Sequence, residues 1–125
     1  YSGDVASPVF LMEAKSPPKG WYALQFKELA HLTKKAYQMG RLPAFIIELP
    51  GKEEVVFLKY SDLDPEWAHP IEKEILFKKG QKGFRVSSAM VTKVRDGKGI
   101  LVVGPETYLA LGYNAFLVLA KPDVT

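Results

Sequence analysis

An α/β fold, with a mixed central β-sheet flanked by helices, is predicted by three features of the chain. Short apolar runs closed by Gly, Pro or charged residues recur from Val9 to Ala120, in the manner of buried strands. One stretch, from Trp21 to Met39, changes to a helical period. Strand-like runs lie on both sides of it, giving the order strand, strand, helix, strand, strand within about 60 residues. The chain has 125 residues, 47% hydrophobic, 25% charged and 12% aromatic. That is the composition of one globular domain, expected over residues 1–125, with enough apolar surface for two packed layers.

Each element follows from local pattern. Ser2-Gly3-Asp4-Val5 reads as a short strand and Ser7-Pro8 as a turn, which sets Asp4 beside Glu13 across a hairpin. Val9 to Lys15 is a strand whose alternation sends Val9, Leu11, Glu13 and Lys15 to one face and Phe10, Met12 and Ala14 to the other. Pro17, Pro18 and Gly20 end it. From Trp21 to Met39, Tyr22, Phe26, Leu29, Leu32, Ala36 and Met39 recur at helical steps, with Lys27, His31, Lys34, Lys35 and Gln38 as a basic opposite face and Gly40 as the C-terminal cap. Pro43–Leu49 and Glu54–Tyr60 read as hairpin strands joined at Pro50-Gly51-Lys52-Glu53, the first central and the second more exposed. Beyond residue 64 the pattern reads as strands at Glu72–Phe77, Phe84–Ser88, Met90–Val94 and Ile100–Val103, then a short helix over Pro105–Leu111 ending at Gly112, and a last buried strand over Ala115–Ala120. No internal repeat, low-complexity segment or Gly/Ser linker divides the chain.

Composition excludes several classes of chemistry. With no cysteine, the chain has no disulfide, no thiol nucleophile and no Cys-ligated zinc or iron–sulfur site. Its longest apolar run, Ala115–Ala120, is far short of the ~20 residues a membrane helix needs, and nothing reads as a signal peptide, so a cytoplasmic, membrane-free setting is expected. Net charge is only +3, from 17 basic and 14 acidic residues, but it is unevenly spread. Met12–Arg41 carries six basic residues and two acids, and Lys78–Lys98 carries seven and one. Ile46–Phe77, between them, carries three basic residues and eight acids. Two basic regions flanking an acidic one are the footprint of polyanion binding or of solvated Lys-rich faces.

Asp4, Glu13 and Lys15 form the arrangement with the most chemical content. Two carboxylates can hold Mg²⁺ through oxygen, together with the Ala14 backbone carbonyl. A neighbouring ammonium can then stabilise charge on a phosphodiester under attack by water. Glu and Lys must be one residue apart on a strand to share a face. The E-x-K tripeptide by itself arises ~0.4 times by chance in a chain this long, so its setting decides its meaning. In that setting, Gly3-Asp4-Val5 followed by Phe10-Leu11-Met12-Glu13-Ala14-Lys15-Ser16 resembles the PD-(D/E)xK nuclease signature. The Lys-rich helix, Gly40–Ile47 and Val55–Leu63 extend the likeness to archaeal-type and phage Holliday-junction resolvases. No proline precedes Asp4, and the interval to Glu13 is shorter than in many members.

The resemblance covers roughly residues 2–63. It implies a restriction-endonuclease-like catalytic core over 1–63, with 64–125 as a β-rich C-terminal extension. It further implies a Mg²⁺-dependent endodeoxyribonuclease, with Mn²⁺ able to substitute, acting as a homodimer on branched or four-way DNA. Asp4, Glu13 and Ala14 match its metal ligands, Lys15 its catalytic lysine and Ser2 its loop serine, while Gln25, one turn into the helix, reads as a Gln that touches the scissile region or as a solvated helix residue. Another nuclease of the superfamily, of end-processing or restriction type, and a non-catalytic DNA-binding module of the same fold are the alternatives.

Lys19, Lys27, Lys34, Lys35, Lys79, Lys82 and Arg85 are the candidate DNA contacts. The Gly-rich segment Lys78–Arg85 reads either as a phosphate-following loop, with Phe84 stacking or packing, or as a plain basic hairpin. His31 reads as a phosphate contact or a solvated helix histidine. His69 has no partner at metal-ligand spacing. Asp96-Gly97-Lys98-Gly99 reads as a hairpin turn, and Asp62 and Asp64 as turn or capping residues. Tyr108–Leu119 reads as core or as a subunit interface.

Overall fold

The computed structural model describes residues 9–51, 54–64, 70–95 and 97–120. Eight strands and three helices follow in the order β1 (Phe10–Lys15), β2 (Trp21–Gln25), α1 (Phe26–Gln38), β3 (Leu42–Glu48), β4 (Glu54–Lys59), β5 (Ile71–Leu76), β6 (Gly83–Ser87), α2 (Ser88–Arg95), β7 (Gly99–Val103), β8 (Thr107–Gly112) and α3 (Tyr113–Ala120). Six of the strands form one mixed sheet in the order β1-β3-β4-β8-β7-β5, and β2 and β6 form a separate two-stranded ribbon. The α/β class with a mixed sheet is therefore present.

The element order repeats. Strand, strand, helix, strand, strand occurs once from β1 to β4 and again from β5 to β8. In each half the first and third strands are parallel, joined by a crossover that holds the second strand and the helix, and the fourth strand turns back antiparallel to the third. The halves meet antiparallel twice, β4 on β8 and β2 on β6. Both registers fit one pseudo-two-fold axis, passing between Leu58 and Leu109 in the large sheet and between Ala23 and Arg85 in the ribbon. The repetition is one of topology and not of residue pattern, so it leaves no internal repeat to read in the sequence.

Two apolar layers enclose the sheet. On one face, Phe45, Ile47, Val55, Phe57, Ile100, Val102 and Ala110 pack beneath Leu29 and Leu32 of α1, Met90, Val91 and Val94 of α2, and Leu24, Phe84 and Val86 of the ribbon. On the other, Phe10, Ala44, Ile46, Val56, Leu58, Leu109 and Leu111 surround Phe116 of α3. No polar or charged residue is buried among the described residues.

Several elements differ from expectation, each because pairing or packing overrides a short local pattern. The helix begins at Phe26, not Trp21, since Trp21–Gln25 pair with Gly83–Ser87. Met90–Val94, expected as a strand, lies in α2, where Met90, Val91 and Val94 share one buried side and the Thr92 hydroxyl bonds the Ser88 carbonyl one turn back at 3.0 Å. Pro105–Leu111, expected as a helix, contributes to strand β8, and Ala115–Ala120, expected as a strand, is helix α3. Strand β4 is not the more exposed partner of its hairpin: Val55 to Leu58 are all buried, because β8 covers its far edge. The basic segment 78–85 is not a hairpin either, since β5 and β6 belong to different sheets. Residues beyond 64 supply β5, β7 and β8 of the same sheet, and α3 on its second face.

The C-terminal cap at Gly40 is present as read. With φ +68, Gly40 donates its N–H to the Tyr37 carbonyl at 3.1 Å, and Arg41 donates to Ala36 at 2.9 Å, which is a Schellman closure.

Candidate functional site

Strand β1 is an edge strand, paired in parallel with β3 so that Glu13 lies opposite Phe45 and Lys15 opposite Ile47. The predicted alternation holds: Leu11 packs into the core beneath α1, while Phe10 packs into the opposite one against Phe116. Glu13 and Lys15 continue the Leu11 face past the end of the apolar contacts. There they meet the exposed side of α1, and Glu13, Lys15, Lys27, Glu28 and His31 line one open groove of about 490 Å³. The strand-borne pair and the basic helix face expected from the sequence thus share a single surface.

The groove is held by its rim. Gln25 ends β2 in extended geometry and is the N-cap of α1, and Glu28 reaches back so that Oε2 accepts the Gln25 backbone N–H at 2.9 Å. Oε1 of Glu28 accepts the Tyr22 hydroxyl at 2.6 Å. Burial, that hydrogen bond and the negative charges of Glu28 and Glu13 push the Tyr22 phenol up to about 12. Glu28 is thereby committed twice, whereas no side-chain hydrogen bond or ion pair joins Glu13 or Lys15 to another described residue. A half-exposed, unengaged carboxylate beside a free ammonium is able to take a cation and a phosphate oxygen.

The basic segment reaches the same rim. The N–H of Phe26, the first residue of α1, donates to the Lys82 carbonyl at 2.8 Å, which ties Lys82 to the helix start. Gly83 makes this approach possible, since a Cβ there would lie 2.3 Å from the Leu24 carbonyl oxygen. Phe77 and Phe84 stack at 5.3 Å and both contact Phe26, so the loop carrying Lys78, Lys79 and Lys82 is pinned at both ends. Phe84 therefore packs and does not stack outward.

Gln25, read one turn inside the helix, is the cap itself. Lys34 and Lys35 are exposed on α1 outside the groove lining. Lys19 and Arg85 lie over the Trp21 ring at 4.9 and 4.1 Å, a cluster sequence spacing concealed because its members come from a loop and two paired strands. Asp62 accepts a hydrogen bond from the Tyr37 hydroxyl beside a 3-10 turn at Tyr60–Asp62, in keeping with its reading as a turn residue. Tyr108 to Leu111 and Phe116 are core, leaving Leu117 and Val118 exposed. Ser2, Asp4, His69 and Asp96 lie outside the described residues, as does the expected hairpin at Asp4; Gly97, with φ +88, leads from α2 into β7 and not between two strands.

The corresponding positions in the second half of the repeat carry different side chains. Glu13 faces the core side opposite Phe45, as Ile75 does opposite Val102. The offset that relates β2 to β6 carries Lys15 to Phe77. Counted from the first residue of each helix, Lys27, Glu28 and His31 correspond to Ala89, Met90 and Lys93. Ile75, Phe77 and Met90 join the apolar core at these positions, while Lys93 stays at the surface 3.9 Å from Glu72.

Among the described residues no three acidic or histidine side chains converge as a metal-binding group. No described helix is long and apolar enough to cross a membrane. Comparison of the chain with protein families, with curated proteins and with solved structures returned no match.

Proposed function

We propose that the chain is a metal-dependent endodeoxyribonuclease of the Holliday-junction resolvase type. The observation that carries this reading is the opening of Glu13 and Lys15, one residue apart on β1, onto the groove that Lys27 and His31 line from α1. The βαβ passage from the E-x-K strand through a basic helix to a parallel strand supports a restriction-endonuclease-like core. The unengaged Glu13 carboxylate and the Ala14 carbonyl would hold a hard cation, with Asp4, outside the described residues, proposed as the second carboxylate. Bound there, Mg²⁺ or Mn²⁺ would polarise the phosphodiester and lower the pKa of its water. Lys15 neutralises charge developing on the phosphate, while Lys27, His31 and the Lys79–Lys82 loop draw the backbone in.

Resolving a four-way junction takes two symmetric cuts. Among the described residues the Glu13–Lys15 pair opens onto one groove, so a second copy would bring the second cutting site and the working unit is a homodimer.

The test is incubation with a labelled four-way junction, a linear duplex and a flap, with and without Mg²⁺, beside Glu13→Gln. The expected result is paired, metal-dependent nicks at the junction, abolished in Glu13→Gln while binding persists. Full activity in that variant overturns the assignment. Cutting confined to duplex or flap would make the chain another nuclease of the superfamily, and binding without cleavage in any metal would make it a DNA-binding module.

A further inference from the structure

The outer face of the β2–β6 ribbon carries a cluster that the groove does not use. Trp21, Ala23 and Gln25 of β2 share this face with Gly83, Arg85 and Ser87 of β6, while Leu24, Phe84 and Val86 point inward and are buried. The Arg85 guanidinium lies 4.1 Å and the Lys19 ammonium 4.9 Å from the centroid of the half-buried Trp21 ring. Both cations are otherwise exposed and form no ion pair among the described residues. A guanidinium resting on an aromatic face keeps its N–H groups in plane and directed to solvent, with less freedom to lose on binding. Two cations held this way are a preorganised receptor for an oxyanion.

We infer that Trp21, Arg85 and Lys19 form a backbone-phosphate subsite in which Trp21 is a positioning residue for the two cations. The inference rests on the nucleic-acid reading above and extends it to where the strand runs. Trp21 and Gln25 stand four residues apart on one face of β2, about 13 Å, or about four base-pair steps of duplex. Gln25 caps the helix whose first turn lines the groove, and Lys82 is bonded to that same turn. A strand entering the groove at Lys15 and Lys27 passes Lys82 and reaches Arg85 and Lys19 on the ribbon. Phosphate contacts of this kind fix register and carry no base preference. A continuous duplex arm, not an isolated phosphoryl group, is the ligand that spans them.

Binding of a labelled junction and of a linear duplex, measured without divalent metal across a salt series, tests the subsite. Arg85→Gln and Lys19→Gln should each reduce the slope of log K against log salt by about 1. Trp21→Leu should weaken binding about 5- to 10-fold, and Trp21→Phe, which keeps a ring, should restore most of the loss. Placed on the Lys19→Gln/Arg85→Gln background, Trp21→Leu should cost nothing further. Thermal melting confirms that each variant is folded. An equal loss on that background, or undiminished binding in folded Trp21→Leu, overturns the positioning role. Trp21-dependent binding to anionic lipid vesicles but not to DNA would reassign the subsite to a membrane surface. Because no metal is present, the outcome is independent of cleavage. An inactive protein with Trp21-dependent binding counts against the nuclease alone, and an active one with unchanged binding counts against the subsite alone.

Discussion

The hydroxyl of Tyr22 donates a 2.6 Å hydrogen bond to Glu28, the carboxylate that also receives the backbone N–H of Gln25. One side chain therefore joins strand β2 to the first turn of α1 at the edge of the groove. Glu28→Ala removes both acceptors, and its expected cost is about 1–3 kcal/mol. Chemical denaturation of the variant beside Tyr22→Phe checks this: Tyr22→Phe should lose less, because the bond to Gln25 remains.

Alkaline pH gives a second prediction. Burial and the carboxylate of Glu28 push the Tyr22 phenol up to about 12, and burial and Asp62 do the same for Tyr37. A raised value favours the protonated native form. The associated stability is complete below the ordinary phenol value of 10.0 and is lost as pH rises through that value toward about 12. Ultraviolet absorbance should show Tyr22, Tyr37 and Tyr108, which burial also pushes up, ionising late. Stability measured across this window should fall less steeply in the Tyr22→Phe/Tyr37→Phe protein.

Gly83→Ala drives a methyl group against the Leu24 carbonyl oxygen and the Gln25 Cα, which lies 2.9 Å from the position of its Cβ. Both obstacles are backbone, so the ribbon must open. The expected destabilisation is about 1–3 kcal/mol. Because opening would also pull Lys82 from the helix start, junction affinity should fall along with the melting temperature.

Phe116 is the buried anchor of α3, fully enclosed and meeting Phe10 edge to face at 5.1 Å. Phe116→Ala should cost about 3–5 kcal/mol. Exchange protection should fall first on the sheet face formed by Ile46, Val56 and Leu111, where this helix supplies the described cover.

Neutralising Lys79 and Lys82 to Gln should weaken binding to junction, duplex and flap alike and reduce the salt slope by about 2. Unchanged binding at two salt concentrations removes the loop from the interface.

How much of this was legible in the sequence depended on the range of the forces involved. The alternation along Val9–Lys15, the basic face of α1 and the glycine stop at Gly40 are local patterns, and each appears where it was read. Elements set by distant partners were misread. Tyr22 and Phe26 fit a helical step, yet Tyr22 and Leu24 also fit a strand, and only β6 decides between them. Met90–Val94 is rich in β-branched residues, but a parallel β5–β7 connection needs a crossover, and α2 serves it. The groove was largely legible: Glu13, Lys15, Lys27 and His31 follow from periodicity, whereas Glu28 entered it through a cap, and the Trp21 cluster outside it arises from a cross-strand contact.

The pseudo-two-fold also bears on how such a chain can change. In a symmetric homodimer every substitution occurs twice, so a carboxylate placed in one cleft is placed in both. Two halves on one polypeptide escape that constraint. Ile75 and Phe77 can harden one half into scaffold while Glu13 and Lys15 stay wet in the other, and each can then vary without taxing its twin.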